Sequence, residues 1–330
     1  MKKICVLGSG AWGTAISCVL RENGHSVTVY GKNPDEVRDI NENGRNSRYF
    51  DVDLPDGITA TTDFDAASAG AEVLVIAVPS FAVEEIVGKI LPHLTETTLI
   101  VSLVKGFDEK SKRTVGEVIR DRLPYKFRKN AVSLLGPTFA SEVAEKQFTA
   151  ITASSTEYSS SKAAQKIFTT PYFRVYVNSD PVGAEYCSAL KNVVAIACGI
   201  AEGSGGKINT RSALITRGLA EISAFVTELG GDARTCYGLA GVGDLTLTCS
   251  SETSRNYAAG IKIGKTSYAE FAADNEKTVE GLYACKIARE LSKEYNIDAP
   301  VIDFVYEVTE LGADAEKAFD KLKERIIGDE

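Results

Sequence analysis

Histidine is nearly absent. The 330 residues hold two, His25 and His93. That scarcity excludes a histidine-rich metal site and confines any histidine-based triad to those two positions. Paired cysteines are missing as well. The seven cysteines form no CxxC pair and no regular spacing. Such usage argues against a disulfide framework and for reduced thiols in a cytoplasmic setting. Positive charge is in deficit, with 37 Lys and Arg against 45 Asp and Glu, a net charge of −8. A chain of this sign has no general pull on nucleic acid, although a basic pocket for a small anion is compatible with it. No apolar run approaches the roughly 18–20 residues needed to cross a bilayer, so no membrane span is expected. Asp63, Asp65 and the other acids lack metal-ligand spacing, and no metal is expected.

What is present is an ordinary globular composition, 44% hydrophobic and 25% charged. The length suits about two domains, each able to bury a core. The start, Met1-Lys2-Lys3-Ile4-Cys5-Val6-Leu7, is basic like a leader but reaches Gly8-Ser9-Gly10 too soon for a long apolar region. It reads as a first strand. Strands are expected at Val27–Tyr30, Val73–Val78, Leu99–Leu103 and Ala131–Leu135, with a helix over Thr14–Glu22. Apolar strands alternating with helices imply an α/β Rossmann-type parallel sheet covered on both faces. Ser154–Ser161 reads as a solvated turn region. Beyond about residue 180 the pattern becomes all-helical, with helices over Pro181–Ala201, Thr210–Leu229, Tyr257–Ile263, Gly281–Tyr295 and Ala315–Ile326. The division is expected near Asn178–Asp180, giving a dinucleotide-binding domain over 1–179 and a helical substrate domain over 180–330.

Gly8-Ser9-Gly10-Ala11-Trp12-Gly13 matches GxGxxG. The bare pattern is weak in a chain with 28 glycines, but its place after the first strand and before a helix gives it weight. Gly8 permits the tight turn, Gly10 lets the backbone approach a pyrophosphate, and Gly13 lets the helix pack on the sheet. Amides at the helix start then face the phosphates. An NAD-selective site places an acid at the end of the second strand. Here that end reads Val29-Tyr30-Gly31-Lys32-Asn33, with no acid before Asp35. Lys32 suits a 2′-phosphate, which favours NADPH over NADH. A solvated loop lysine is the competing reading.

At about 100° per residue, Cys187, Lys191, Val194 and Cys198 fall in one narrow sector of a helix. A lysine among small apolar residues is costly without a partner or a task. Burial there favours a proton donor or acceptor, and the alternative is a lysine snorkelling past the edge of that face. Lys105-Gly106 follows the strand Leu99–Leu103 at the carboxyl edge, where such sheets bind ligands, or else it is surface charge. The glycine-rich turn Gly238–Gly243 delivers Asp244, either as a working carboxylate or as a helix N-cap. Ser254-Arg255-Asn256 opens a helix, where Arg255 offers a bidentate fork to phosphate or lies solvated.

Together these blocks resemble the NAD(P)-dependent glycerol-3-phosphate dehydrogenases of bacterial type, from Ile4 to about Lys323. The resemblance rests on Gly8–Gly13 with Trp12, Val78-Pro79-Ser80, Lys105-Gly106 and Gly136-Pro137-Thr138-Phe139-Ala140. It continues through Ala189–Val193, Asn209–Arg211, Ala213–Gly218, Gly241–Leu245, Thr248-Cys249, Ser254–Asn256 and Val279–Gly281. It implies reversible reduction of dihydroxyacetone phosphate, a phosphorylated triose, to sn-glycerol 3-phosphate for glycerophospholipid synthesis. It implies Lys191 as catalytic acid/base. Lys105, Gly136, Thr138, Asn192, Asp244, Ser254, Arg255 and Asn256 are implied around the substrate. Gly8, Gly10, Ala11, Trp12, Gly13, Lys32, Lys105, Ala140, Arg255 and Glu280 are implied at the cofactor, NADPH or NADH. A homodimer is a further implication. The chain departs from the family at Ala11, Leu103-Val104 and Leu135, where hydroxyl-bearing or smaller residues are usual. Two readings compete: a β-hydroxyacid dehydrogenase that binds a carboxylate, and a nucleotide sensor without turnover. A sensor needs none of Lys191, Asp244 and Arg255.

Overall fold

The computed structural model describes residues 1–275 and 278–324. Two compact units divide the chain, Met1–Glu185 and Tyr186–Glu330.

The first unit is built on an eight-stranded sheet: β1 (Lys3–Leu7), β2 (Ser26–Tyr30), β3 (Ile58–Thr61), β4 (Val73–Ile76), β5 (Leu99–Ser102), β6 (Ala131–Leu135), β7 (Thr149–Ser154) and β8 (Phe173–Asn178). Their spatial order is β3-β2-β1-β4-β5-β6-β7-β8. The strands β1 to β6 are parallel. Successive residues alternate between two cores. Ile4, Val6, Val73 and Val75 face one, and Cys5, Leu7, Leu74 and Ile76 face the other. A sheet buried on both faces explains why these strands read as unbroken apolar runs. The strand order reverses at β1, whose carboxyl end leads into the glycine loop. That is the switch point at which open α/β sheets bind ligands.

The sheet is not purely parallel as expected. β7 pairs antiparallel with β6, and β8 runs parallel to β7. The serine-rich stretch needs a larger correction. Ser154 ends β7, and a helix spans Tyr158–Phe168 with Ser160 and Ser161 buried. Hydroxyls there replace water as backbone partners: Ser155 Oγ donates to the Ala131 carbonyl at 2.7 Å and Ser160 Oγ to the Lys129 carbonyl at 2.7 Å.

A helix spans Pro181–Gly203. Its first turn is fastened within the first unit by Glu185, which accepts from Arg120 at 2.6 and 2.9 Å, from Thr114 Oγ1 at 2.7 Å and from Ser133 Oγ at 2.6 Å. The compact division therefore falls inside this helix, while the change of pattern lies at the close of β8. By length and composition this helix is apolar enough to cross a membrane, a feature the scan for apolar runs understated. Its most apolar window is wholly buried inside the protein, as a core helix is.

The second unit is helical. Helices span Ile208–Glu228, Asp244–Cys249, Arg255–Lys265, Tyr268–Asp274, Glu280–Glu294, Pro300–Glu310 and Ala315–Lys323. The expected helix end at Arg325-Ile326 lies outside the described residues. The helices Pro181–Gly203 and Arg255–Lys265 meet backbone to backbone. A Cβ on Gly199 would strike the Tyr257 carbonyl, and one on Gly260 would strike the Ile196 carbonyl. Glu221 is buried and accepts from the amides of Val301 at 2.6 Å and Ile302 at 3.2 Å, capping the helix Pro300–Glu310. All seven cysteines are buried.

Candidate active site

In the first unit each glycine of the loop meets a different constraint. Gly8 has φ +129°, and a Cβ there would collide with the Ala77 carbonyl that follows β4. A Cβ on Gly13 would collide with the Gly8 carbonyl. Nothing lies within 4 Å of a Cβ built on Gly10. The outer two glycines are thus required by packing, and the middle one leaves its face open, as an approaching pyrophosphate requires. Gly10 is the N-cap of the helix Ala11–Glu22 and carries no side-chain cap. The first-turn amides, those of Ala11 and Trp12 among them, have no intrahelical acceptor and suit an anion.

The loop is braced from beneath. Ser9 Oγ donates to Glu36 Oε2 at 2.5 Å. Asn46 Nδ2 donates to the Ser9 carbonyl and to Thr14 Oγ1, both at 2.8 Å. Glu36 and Asn46 are 8% and 0% exposed. Neither was singled out from sequence. Lys32 lies just beyond β2, with its ammonium 3.5 Å from Glu85.

At the carboxyl ends of β5 and β6 the unit brings three expected residues together. Lys105 Nζ donates to the Gly136 carbonyl at 3.1 Å, and Thr138 Oγ1 donates to the same oxygen at 3.3 Å. Ala140 begins the short helix Ala140–Ala144 directly after them.

The second unit gathers the rest. Lys191 and Asp244 pair at 2.9 Å, with side chains 6% and 1% exposed. Burial this deep removes the snorkelling reading of Lys191. Asp244 is not an N-cap either: Gly243 holds that position and the carboxylate turns to the lysine. The glycines before it are required, because a Cβ on Gly241 would run into the backbone of Cys236. Thr248, one turn after Asp244, completes the arrangement. Its Oγ1 accepts from Lys191 Nζ at 2.5 Å and donates to the Asp244 carbonyl at 2.6 Å. Sequence reading placed Thr248 only in a motif. Its spacing of four from Asp244 on one helix was the available signal.

Ser254 is the N-cap of the helix Arg255–Lys265, accepting from the Tyr257 amide at 3.3 Å. Its hydroxyl oxygen therefore has a structural task beside the expected substrate role. Arg255 is exposed, and one guanidinium nitrogen donates to the Thr278 carbonyl at 3.3 Å. Asn256 Oδ1 accepts from the Gly281 amide at 2.9 Å, holding the start of the helix that Glu280 opens. Gly281 packs on the backbone of Asn192, and a Cβ there would lie 2.6 Å from the Asn192 carbonyl oxygen. Asn192, Asn256 and Glu280 are thereby tied into one local framework beside Lys191.

The second unit thus offers a buried, carboxylate-paired ammonium and an exposed guanidinium at a helix start. The first unit, taken by itself, offers an open glycine loop. Among the described residues no cluster of three or more metal-ligating side chains occurs. Comparison with known proteins gives the family. Residues 3–161 match the family described as NAD-dependent glycerol-3-phosphate dehydrogenase N-terminus, and residues 180–320 match its C-terminus. A Bacillus velezensis protein named glycerol-3-phosphate dehydrogenase, NAD(P)+, is 39% identical over 328 residues, 99% of this chain and 95% of the relative. One of the same name from Limosilactobacillus reuteri is 38% identical over 334 residues, 100% of this chain and 99% of the relative. The crystal structure of a glycerol-3-phosphate dehydrogenase from Coxiella burnetii superposes with TM-score 0.89 at 34% identity, covering 98% of this chain and 99% of that one.

Proposed function

The chain belongs to the NAD-dependent glycerol-3-phosphate dehydrogenase family, and on that premise we propose that Lys191 is the proton donor when it reduces dihydroxyacetone phosphate. The reaction is the reversible, NAD(P)H-dependent conversion of that ketone to sn-glycerol 3-phosphate, the backbone precursor of glycerophospholipids. The observation that carries the assignment of Lys191 is its burial against Asp244 at 2.9 Å.

A nicotinamide dinucleotide held at the Gly8–Gly13 loop would supply the hydride. Negative charge then grows on the former carbonyl oxygen, and the Lys191 ammonium stabilises that charge and delivers the proton. Asp244 and Thr248 orient the amine, since together they engage Nζ from one short helix. Arg255 takes the substrate phosphate with a bidentate fork, aided by the amides at its own helix start. Asn256 and Asn192 shape the surroundings of that phosphate. Anchoring a remote phosphate fixes the carbonyl for attack, so binding energy becomes orientation. Lys105, Gly136 and Thr138 are assigned to the substrate on the family resemblance. Gly8, Gly10, Ala11, Trp12, Gly13, Lys32 and Ala140 hold the dinucleotide, and the family resemblance assigns Glu280 to it as well. The open face of Gly10 supports that fit. A cytoplasmic homodimer is part of the proposal. Cysteine usage without paired spacing supports the compartment, and the family resemblance supports the pairing.

The test is oxidation of NADPH and NADH followed at 340 nm with dihydroxyacetone phosphate, beside oxaloacetate as a 2-ketoacid control. Turnover with the phosphorylated ketone and not with the acid is expected. Arg255→Ala should raise KM for the triose phosphate far more than it lowers kcat. An unchanged KM removes the anchor role, and preference for the ketoacid transfers the chain to the β-hydroxyacid class.

A further inference from the structure

We propose that Arg48 forms, with Lys32, a cationic seat for the 2′-phosphate of NADPH, and that Glu36 is withheld from the ribose. The inference rests on the glycine-loop reading above and deepens it.

Dinucleotide folds decide between the two cofactors just beyond the second strand. A free carboxylate there accepts from the ribose 2′-hydroxyl, whereas a cation takes the 2′-phosphate. Two acids follow β2. Asp35 is 76% exposed on its side chain and paired with Arg38 at 2.6 Å. Glu36 is buried, and both its oxygens are engaged by protein. Oε2 accepts from Ser9 Oγ at 2.5 Å. Oε1 accepts from Tyr49 OH at 3.2 Å and Asn33 Nδ2 at 3.3 Å, and lies 3.4 Å from an Arg48 nitrogen. A carboxylate so engaged has little capacity left for a sugar hydroxyl.

The same contacts place a cation where the acid is withheld. Glu36 touches Ser9 of the glycine loop on one side and Arg48 on the other. The segment that carries Arg48 is fixed to the loop by Asn46, which donates to the Ser9 carbonyl. The Arg48 side chain remains 63% exposed, with its guanidinium 5.9 Å from the centroid of the Tyr49 ring. One nitrogen faces Glu36 and the planar fork keeps others for a phosphate. Lys32 is equally exposed at 63%, and its partner Glu85 lies closer to Lys89, at 2.7 Å against 3.5 Å. Two exposed cations flanking an otherwise neutralised corner suit a phosphate monoester dianion.

The experiment is calorimetric titration of the full chain with NADP+, NAD+ and 2′,5′-ADP. Wild-type protein should bind NADP+ more tightly than NAD+, with the difference shrinking as salt is raised. Arg48→Gln keeps a donor for Glu36 and removes the charge. It should weaken NADP+ and 2′,5′-ADP by about tenfold or more while NAD+ changes less than about threefold. Arg48→Lys should recover part of the loss, and Lys32→Gln combined with Arg48→Gln should abolish the preference. Equal weakening of NADP+ and NAD+ would mean that Arg48 acts only by bracing the loop through Glu36, and overturns the proposal. So does an unchanged ratio. If the wild type binds neither nucleotide, the glycine-loop reading itself fails, an outcome distinct from the other two.

Discussion

Replacing Asp244 with asparagine isolates the charge that faces Lys191. The amide keeps the volume of the carboxylate, and the backbone oxygen that accepts from Thr248 is untouched. What disappears is the negative charge 2.9 Å from an ammonium whose side chain is 6% exposed. Removing one partner of a buried pair costs about 3–5 kcal/mol, because the remaining charge is uncompensated. The ammonium also loses the carboxylate that fixes its direction, and an interaction worth about 3 kcal/mol in the transition state corresponds to roughly two decades in rate. The kcat should therefore fall by about a hundredfold. The assay is NADPH oxidation at 340 nm and pH 7, with denaturant unfolding to measure the lost stability. Turnover within about threefold of wild type at pH 7, with unchanged stability, would refute the role given to the pair.

Other consequences are equally direct. Gly10→Ala should fold with an unchanged thermal midpoint, because its Cβ meets nothing, yet bind NADP+ at least about tenfold more weakly. Gly13→Ala should instead lower the thermal midpoint, because its Cβ meets the Gly8 carbonyl. Calorimetry and titration together separate the two. Burial pushes the Glu221 carboxyl up to about 8, against the pull of the Val301 and Ile302 amides. Its folded value lies above its unfolded one, so the folded chain holds the extra proton between about pH 4.5 and 8. The stability it contributes is fully present below that window and is lost as pH rises through it, by up to about 5 kcal/mol. Thermal midpoints should therefore fall from pH 5 to pH 8, and a flat profile would contradict the assignment.

How much of this was legible in the sequence depends on whether the signal was local. The glycine loop announced itself because strand, glycines and helix are contiguous. The face carrying Lys191 announced itself because a helix repeats over a few residues. Both readings concern neighbours along the chain. The partners of those features were not legible. Asp244 was noted for its turn, and the expectation that it holds Lys191 or a substrate hydroxyl came from the family resemblance, since nothing near it in sequence says so. Glu36 was passed over because its burial depends on Ser9, Tyr49 and Arg48 closing around it. The strands β3, β7 and β8 were missed for another reason. Ile58–Thr61 is short, Thr149–Ser154 is rich in small and hydroxyl residues, and Phe173–Asn178 alternates buried and exposed positions in its first half. A scan for continuous apolar runs detects strands buried on both faces and overlooks such strands. The serine stretch failed similarly, since composition does not reveal that its hydroxyls have backbone partners inside the protein.

The central claim is that Lys191 supplies the proton, and rapid mixing of Lys191→Met with NADPH and dihydroxyacetone phosphate tests it most directly. The account predicts NADPH affinity within about threefold of wild type, and a single-turnover loss of 340 nm absorbance slowed at least about a hundredfold. Hydride transfer at a near wild-type rate in that variant would contradict it.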